Sequence, residues 1–573
     1  MKWCSRLGAE VLGLAAGFAL AGCDYSSRNL PAMPEGTFSS PRLPVAEPRG
    51  GGTKVAASVK AAGISGEERT AERLAILDNV MKLIANAASN PEGNNFGNAT
   101  KNLNQFFAGT AKSAYGLSPE AREMLLAKLP KEKVDELEAP EWIRPDARHL
   151  EDCMLYHAVA VRVAGVGDDL TRVRRVFDWM VEQVQLVPAG SLGSPGLGQA
   201  FARPYDVLVR GMATEAEGIW AERGWLFLSL CRQLGLDAGV VTYTPPGGKE
   251  PVVWCVAVLI DKKPYLFDTR IGLPIADAKG DGVSTLAEAM TDPLILDRME
   301  LPGQSPYGTS RAALVGSASK IGILLDSSPR YFSPRMRLLQ QDLVGKNLTI
   351  LYRDPAEQRD RWAEALGDQF GKVALWDLPI LVETLLFTNP DFVKSTKQSL
   401  FLFEPSFPLR YARMRELRGE TWEAVQDYVA MRFAEKSLLM DKKTPMPKEI
   451  QEALDVYATY FLGMCHLEQK DARQAQFFFE KTLKMLPEPG GGRPFFNMYR
   501  WGAQTNLARL EAAKGKYAKA AAYYSQNDPT TQRHGNMLKA RELVWRDPMA
   551  PAPVLPKAPP QPGEVLLPAA VAR

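Results

Sequence analysis

Apolar residues recur at intervals of three and four positions in two early stretches of the chain, which is the spacing of one buried face of a helix. The residues that follow this spacing are Leu74, Leu77, Val80, Met81 and Ile84 in the first stretch, and Val173, Val176, Phe177, Met180 and Val184 in the second. The pattern predicts a helical region over 61–148 and a further helix around 173–184.

Between 210 and 270 the periodicity changes from that of helices to that of strands. Thr214 and Glu217 have the spacing of a capping box and predict the start of an apolar helix that ends before Gly235. Three runs rich in β-branched and aromatic residues then predict strands at 238–243, Val252–Ile260 and 265–267. A helix followed by paired strands is typical of an α+β fold.

A smaller α/β unit is predicted within 301–400. Residues 321–325 and 348–352 have the composition of strands, and Ser333-Pro334 marks the start of a helix between them. No glycine-rich phosphate loop accompanies these segments, so the sequence does not indicate a nucleotide site.

After residue 400 small and aromatic residues recur at spacings similar to those of tetratricopeptide units. The first unit contains Leu462, Gly463, Ala475, Phe479 and Pro487; the second Leu507, Ala508, Gly515, Tyr517, Ala520 and Tyr524; the third Ala412, Gly419, Ala424 and Tyr428. Small residues let two helices approach closely, and stacked hairpins offer a surface for peptides or helices. We therefore expect helical hairpins over 401–545 that bind a protein or peptide; an unrelated helical bundle is the alternative.

The chain begins with features of an exported protein. Lys2 and Arg6 precede an apolar run that is too short to span a bilayer. The LAGC sequence at 20–23 resembles the lipobox of bacterial lipoproteins, which implies removal of residues 1–22 and lipid attachment to Cys23. The lipid would hold the folded part outside the cytoplasm, on a membrane of the cell envelope. A plain signal peptide is the alternative.

Composition mainly excludes functions. The 573 residues carry 69 basic and 66 acidic side chains, a net charge of +3, which does not favour a nucleic-acid partner. Segments rich in proline predict a tether before the folded part and a disordered tail after it. The chain therefore divides into a signal peptide at 1–22, a tether at 23–60, helices at 61–148, an α+β domain at 149–300, a connecting region at 301–400, hairpins at 401–545 and a tail at 546–573.

Three segments of the predicted α+β domain carry a family resemblance. They are FDWMVEQVQL at 177–186, ERGWLFLSLCRQLGLDAGVV at 222–241 and WCVAVLIDKKPYLFDTR at 254–270. Together they resemble the transglutaminase-like family, a papain-related α+β fold. The resemblance implies a Cys–His–Asp triad, in which the histidine activates the cysteine and the aspartate orients the histidine.

Two of the three catalytic positions hold residues that cannot perform this chemistry. The resemblance places the family's cysteine at Trp220 and its histidine at Val253, or at Trp254 with a slip of one residue; only Asp268 matches. An indole is not a nucleophile, and valine cannot accept a proton. We therefore expect a degenerate, vestigial triad.

Other thiols offer weak substitutes. Cys231 follows the apolar face of its helix, and Cys255 lies in an apolar strand, a setting that raises the pKa of a thiol. Cys153 and His157 are one helical turn apart and could share a face, but no second pair completes a metal site. Cys465-His466 are neighbours within a hairpin helix. We expect these residues to pack in the core, and we expect no metal and no cofactor.

Tryptophans replace the expected catalytic groups. Trp220 and Trp225, with Trp254 close in space, predict either a cleft plugged with aromatic rings or a shallow binding patch. The sequence as a whole predicts a multidomain, mostly α protein with an α+β transglutaminase-like core, acting as a lipid-anchored scaffold without enzymatic activity. Two alternatives stay open: an active thiol hydrolase or peptidase with another triad, and a glycan-binding module with exposed tryptophans.

Overall fold

The computed structural model is mostly helical, as predicted for the fold class, and its described residues form a two-stranded parallel sheet and a six-stranded mixed sheet. It describes residues 71–87, 93–188, 201–215, 221–301, 307–316, 321–367, 371–404, 407–433, 447–486, 499–526 and 528–546. The chain divides by its internal contacts between Asn79 and Val80, within the first helix, and residues from Val80 onwards form one unit. The segments predicted to be a signal peptide and a tether, with Cys23, lie outside the described residues, and so does the predicted tail apart from Arg546.

Helices precede the sheet and surround its strands. The first six are α1 (Ala71–Ala87), α2 (Asn95–Phe106), α3 (Pro119–Leu126), α4 (Lys131–Leu137), α5 (Arg144–Ala164) and α6 (Asp169–Gln183). The apolar spacing predicted the buried face of α6 correctly, since its periodic residues are fully buried. In α1 the same spacing holds from Leu77 onwards, whereas Leu74 is largely exposed.

Two sheets follow. Strands β1 (Gln185–Pro188) and β2 (Met212–Glu215) pair in parallel, with α7 (Pro204–Arg210) between them in sequence. The larger sheet has the order β6-β5-β4-β3-β7-β8. Helix α8 (Ala221–Gln233) precedes this sheet in the sequence. The strands are β3 (Asp237–Tyr243), β4 (Val252–Ile260), β5 (Lys263–Asp268), β6 (Leu273–Pro274), β7 (Gly322–Leu325) and β8 (Val373–Leu375).

The central hairpin was predicted closely. Strands β3, β4 and β5 occupy the expected positions and pair antiparallel. The turn between β4 and β5 places Asp261 and Lys262 in the left-handed region, at φ of 48° and 62°. Strand β7 also lies where a strand was expected, and it pairs antiparallel with β3 and parallel with β8.

Two local predictions were wrong. Thr214 does not cap a helix: it lies in β2, its amide donates to Glu222 at 2.7 Å, and α8 begins only at Ala221. Glu217 lies outside the described residues. Residues 348–352 form no strand, because side chains of other segments take the place of a neighbouring strand: the Gln340 amide oxygen accepts from the amides of Leu351 and Tyr352, at 2.7 and 2.9 Å.

Short helices connect the sheet with the helical region that follows. They are α9 (Leu286–Thr291), α10 (Pro293–Asp297), α11 (Arg311–Val315), α12 (Pro334–Asp342), α13 (Pro355–Leu366), α14 (Asp377–Thr388) and α15 (Pro390–Ser399). The predicted helix start at Ser333-Pro334 is confirmed by α12.

Seven helices complete the described chain, six of them in consecutive pairs. They are α16 (Pro408–Arg418) with α17 (Thr421–Phe433), α18 (Lys448–Glu468) with α19 (Ala472–Met485), α20 (Arg500–Ala513) with α21 (Tyr517–Tyr524), and α22 (Gln532–Arg546). The turn within each pair contains a residue in the left-handed region, at Gly419, Lys470 and Gly515. A Cβ atom at Gly463 would lie 2.7 Å from the Phe479 ring, which is the close helix approach that the sequence predicted.

The first helices of these pairs pack on the α+β segment. Arg413 of α16 donates to the Leu208 carbonyl at 3.3 Å and to the Gln183 side chain at 3.0 Å. At the start of α20, Tyr499 donates its hydroxyl proton to the Arg210 carbonyl at 2.8 Å. A single hydrophobic core runs from α5 through the sheet into α20. The hairpins therefore share their interior with the α+β segment.

Candidate functional site

Asp268, the matched position of the expected triad, ends β5 and is completely buried. Its Oδ2 accepts hydrogen bonds from the Tyr307 hydroxyl at 2.8 Å and from the Arg270 guanidinium at 3.1 Å. Its Oδ1 accepts from the Arg270 amide at 3.0 Å. The charge of Asp268 in turn raises the pKa of Arg270. Both carboxylate oxygens thus already have partners from the protein itself.

A β-bulge determines which residue of β4 faces Asp268. Val241 of β3 pairs with Cys255, whereas the next residue, Thr242, pairs with Val253, so that Trp254 is the extra residue of the bulge. Trp254 is 1% exposed and donates its indole proton to the Tyr307 hydroxyl at 3.0 Å. Of the two residues considered for the histidine position, Trp254 is buried in the bulge, whereas Val253 pairs with Thr242.

The residues expected at the three triad positions do not come together as a triad in the part of the chain that the structure describes. Val253 is 43% exposed and lies at the outer end of β4. Trp220 lies outside the described residues, as does Cys23. Of the residues at these positions, Asp268 remains, linked through Tyr307 to Trp254. In this chain of hydrogen bonds the Trp254 indole donates to Tyr307, and Tyr307 donates to Asp268.

The first turn of α8, next to the expected cysteine position, carries two buried charged residues. Glu222 pairs with Arg210 at 2.7 Å and also accepts from two backbone amides, while burial raises its pKa. Arg223 donates to the Val184 carbonyl at 2.5 Å, and burial lowers its pKa to about 9. These contacts tie the helix start to its surroundings and are structural in kind.

The start of α22 covers the same region. The Gln532 side chain accepts from Arg223 at 2.6 Å and donates to the Ile271 carbonyl at 2.7 Å. Gly535 approaches so closely that a Cβ atom there would lie 1.9 Å from the Ile271 oxygen. A helix from the C-terminal part of the chain therefore packs directly beside the strand end that carries Asp268.

All four cysteines of the described chain are free and buried. They are Cys153, Cys231, Cys255 and Cys465, as expected for core residues. Burial raises the pKa of each thiol above its ordinary value. A protonated, inaccessible thiol is a poor nucleophile.

One cysteine does contact a histidine, but not the predicted one. Cys153 lies 3.5 Å from Nε2 of His149 rather than beside His157. Nε2 also lies 3.0 Å from the Leu351 carbonyl oxygen, to which it donates its proton. Nδ1 is then the basic nitrogen of the ring, and it lies 3.9 Å from Cys153 Sγ. The thiol itself donates to the Tyr331 hydroxyl at 3.3 Å. Burial lowers the pKa of His149 to about 3, so the pair is neutral and unactivated at pH 7.

Charged groups next to this pair are matched as well. Arg232 pairs with Asp326 at 2.9 Å, and its guanidinium lies 3.7 Å from the centre of the Tyr331 ring. Cys465, the other cysteine beside a histidine in sequence, is buried, whereas His466 stacks on Phe478 with ring centres 5.4 Å apart. Neither pair has the access that a substrate would need.

Two of the three tryptophans expected at the cleft lie in the described residues, and neither offers an exposed ring. Trp225 and Trp254 are both buried, and the Trp225 indole donates to Ser328 at 3.3 Å. A glycan-binding module would need at least one such ring exposed for stacking. Trp254 does not meet that requirement.

Within the described residues, no group of three or more histidine, cysteine or acidic side chains is arranged to hold a metal ion. In the same part of the chain, no helix has both the length and the apolarity needed to cross a bilayer.

Sequence reasoning missed several residues of this region. Tyr307 is 39 residues from its partner Asp268, and Gln532 is 309 residues from Arg223, so no local pattern connects either pair. Arg270 could have been identified from the sequence, because it follows Asp268 by two residues in the DTR motif at 268–270.

Comparison of the chain with family models, with curated proteins and with solved structures gave no match.

Proposed function

We propose that the chain is a lipid-anchored envelope protein without transglutaminase-type catalysis, in which the α+β segment is a scaffold and the helical pairs bind a protein partner. The observation that carries the proposal is the occupied carboxylate of Asp268, which is bonded to Tyr307 and Arg270. A triad aspartate must be free to orient a histidine. Here that role is replaced by a buried network that stabilises the fold.

The partner surface of this proposal is the outer layer of helical pairs. The first helices α16 and α20 already pack on the α+β segment, whereas the second helices α17 and α19 expose Trp422 and Phe477. Exposed aromatic side chains often contribute most to the binding energy of protein interfaces. We therefore propose that the partner binds the outer layer formed by α17 and α19.

The anchor is tested by Cys23→Ser in the full chain. Loss of lipid attachment should move the protein from the membrane fraction to the soluble fraction of the envelope, and Cys4→Ser is the matched control that should leave it membrane-bound. Unchanged fractionation of Cys23→Ser would defeat the anchor.

The binding role is tested by crosslinking in intact cells. A defined crosslinked species formed by the wild type should disappear with Trp422→Ala and Phe477→Ala combined, and should persist with Val166→Ala, an exposed apolar residue outside the helical pairs. If the double variant retains all crosslinked species, the partner does not use this layer.

A thiol hydrolase is the second candidate, favoured by the contact between Cys153 and His149. It requires that this buried pair become accessible, and it predicts rapid alkylation of Cys153 below pH 7.

A further inference from the structure

Helices α19 and α21, which belong to the outer layer of the helical pairs, carry a surplus of basic side chains. Together with the turns before them, at 470–486 and 514–526, they contain seven basic and two acidic residues, whereas the whole chain contains 69 basic and 66 acidic ones. Six of the seven are exposed: Lys470, Arg473, Lys484, Lys514, Lys516 and Lys519. Positive charge that nearly cancels over the whole chain is therefore concentrated on this part of the surface.

The acidic side chains of the same region leave most of this charge uncompensated. Asp471 is exposed and caps α19, where it accepts from a backbone amide at 3.0 Å. Glu480 is half-buried and accepts from the Gln476 side chain at 2.7 Å. On α20, Glu511 pairs with Lys519 at 3.0 Å but is only 1% exposed. A molecule that approaches these two helices therefore meets mainly cations.

Two exposed cations of α19, Arg473 and Lys484, form no ion pair with any residue that the structure describes. Between them in sequence, burial lowers the pKa of Lys481; Arg432 of α17 lowers it further, and Asp455 of α18 raises it. These two neighbours carry one charge of each sign and leave the local balance positive. Arg473 and Lys484 are therefore available to a partner.

An exposed aromatic ring lies among these cations. Arg473 precedes Phe477 by four residues and Lys484 follows it by seven, so the three side chains share one face of α19. Phe477 is 54% exposed. The surface continues towards α21, because Lys514, in the turn before that helix, donates to the Gln476 side chain of α19. The region thus combines an apolar contact point with positive charge on both sides of it.

We propose that the surface formed by α19 and α21 binds an acidic protein segment, with Phe477 contacting an apolar side chain of that segment and Arg473 and Lys484 pairing with its carboxylates. Opposite charges steer a partner to such a surface, and an aromatic side chain supplies the apolar contact. One exposed ring offers little area for insertion into a bilayer, which favours a protein over a lipid surface. The inference rests on the proposed function and specifies the chemistry of its partner.

Binding of a defined acidic peptide tests the charge. The probe is a fluorescent, glutamate-rich peptide that contains one leucine, and its affinity for the Cys23→Ser full chain is measured by fluorescence anisotropy. We expect binding that weakens as salt is added. Arg473→Glu combined with Lys484→Glu should lower the affinity by about tenfold or more, because two attractions become repulsions. The matched control reverses two exposed lysines of the N-terminal helical region, Lys101→Glu with Lys112→Glu, and should leave the affinity unchanged.

A second comparison tests the ring. Replacing the leucine of the peptide by serine should weaken its binding to the wild-type surface, whereas Phe477→Ser should remove the difference between the two peptides. A difference that persists in Phe477→Ser would show that the leucine does not contact Phe477.

The outcomes separate this inference from the proposed function. The acidic partner is overturned if the peptide does not bind, if a glutamine-rich version binds equally well, or if both pairs of charge reversals have the same effect. It also fails if phosphatidylglycerol vesicles or a single-stranded oligonucleotide bind this surface more tightly than the peptide.

Crosslinking in cells supplies the remaining distinction. If the crosslinked species is lost with Trp422→Ala and Phe477→Ala but persists with Arg473→Glu and Lys484→Glu, the helical pairs bind a partner that is not acidic. If it persists in both variants, the protein-binding role of this layer fails as well.

Discussion

The Asp268 network and the Cys153–His149 pair each contain residue types found in catalytic triads, and each lacks a different part of what a thiol active site needs. Asp268 is at the position that the family resemblance requires, but its partners are Tyr307 and Arg270. Cys153 and His149 have suitable chemistry and touch each other, but they lie at unrelated positions. Both groups are buried.

The difference shows that contact between suitable residues does not by itself create a reactive site. A nucleophile needs a lowered pKa, a basic nitrogen within hydrogen-bond distance and access to substrate. In the Cys153–His149 pair burial keeps the thiol protonated and the imidazole neutral, so both groups have the wrong electrostatic environment. The Asp268 network has a charged partner, but it has no thiol or imidazole bonded to the carboxylate in the described residues.

We expect the largest change in stability in β4, where two adjacent residues should respond differently to truncation. Trp254→Ala removes a buried indole that fills the bulge and bonds Tyr307, and it should lower the free energy of unfolding by about 3–5 kcal/mol. Val253→Ala, at an exposed neighbouring position, should change it by about 0.5 kcal/mol or less. Urea denaturation measures both. Equal losses would show that Trp254 does not plug the site.

A smaller effect tests whether Asp268 is structural. Asp268→Asn removes the charge that balances Arg270 and places an amide N–H donor where the neighbouring groups are also donors. Because Arg270 is partly exposed, we expect the free energy of unfolding, measured by urea denaturation, to fall by about 2 kcal/mol. Asp261→Asn, in the exposed turn before β5, is the control and should leave stability unchanged. If the Asp268→Asn protein is as stable as the wild type, Asp268 does not have a structural role.

The Cys153–His149 pair gives a pH-dependent prediction. The pKa of His149 is about 3 in the folded protein and about 6.5 in the unfolded chain. Between pH 6.5 and pH 3 the unfolded chain therefore binds a proton that the folded protein does not, so the free energy of unfolding falls as the pH falls through this range. From pH 7 to pH 5 the wild type should lose about 2 kcal/mol relative to His149→Gln.

The subtraction removes the contributions of other groups, such as Asp152, whose pKa is raised to about 7 by burial and which acts in the opposite direction. His466→Gln, at a half-exposed site, is the control and should show a smaller change. If the two variants behave alike, His149 is not buried as a neutral group.

Local sequence patterns predicted the elements of this fold better than its site. The periodic apolar positions of α6, the three strands of the central hairpin and the helix pairs were predictable because each depends on residues close in sequence. The false strand at 348–352 shows the limit of composition: its backbone bonds to the side chains of Gln233 and Gln340, which no local pattern reveals.

The candidate site depended on long-range contacts. Asp268 was identified through a family resemblance, but its partner Tyr307 lies in a distant segment. The bulge at Trp254 changes the side-chain alternation of β4, so counting along the strand could not decide between Val253 and Trp254. The contact of Cys153 with His149 rather than His157 was equally open, since both histidines are four residues away.

Residue-resolved alkylation of the native protein from pH 5 to pH 9, with the denatured protein as the reference for full reactivity, shows whether any thiol is activated. We expect Cys153, Cys231, Cys255 and Cys465 all to react far more slowly in the native state than after denaturation, at every pH. Rapid alkylation of any of them below pH 7, above all of Cys153, would reveal an activated thiolate and contradict the assignment of this chain as a scaffold without thiol chemistry.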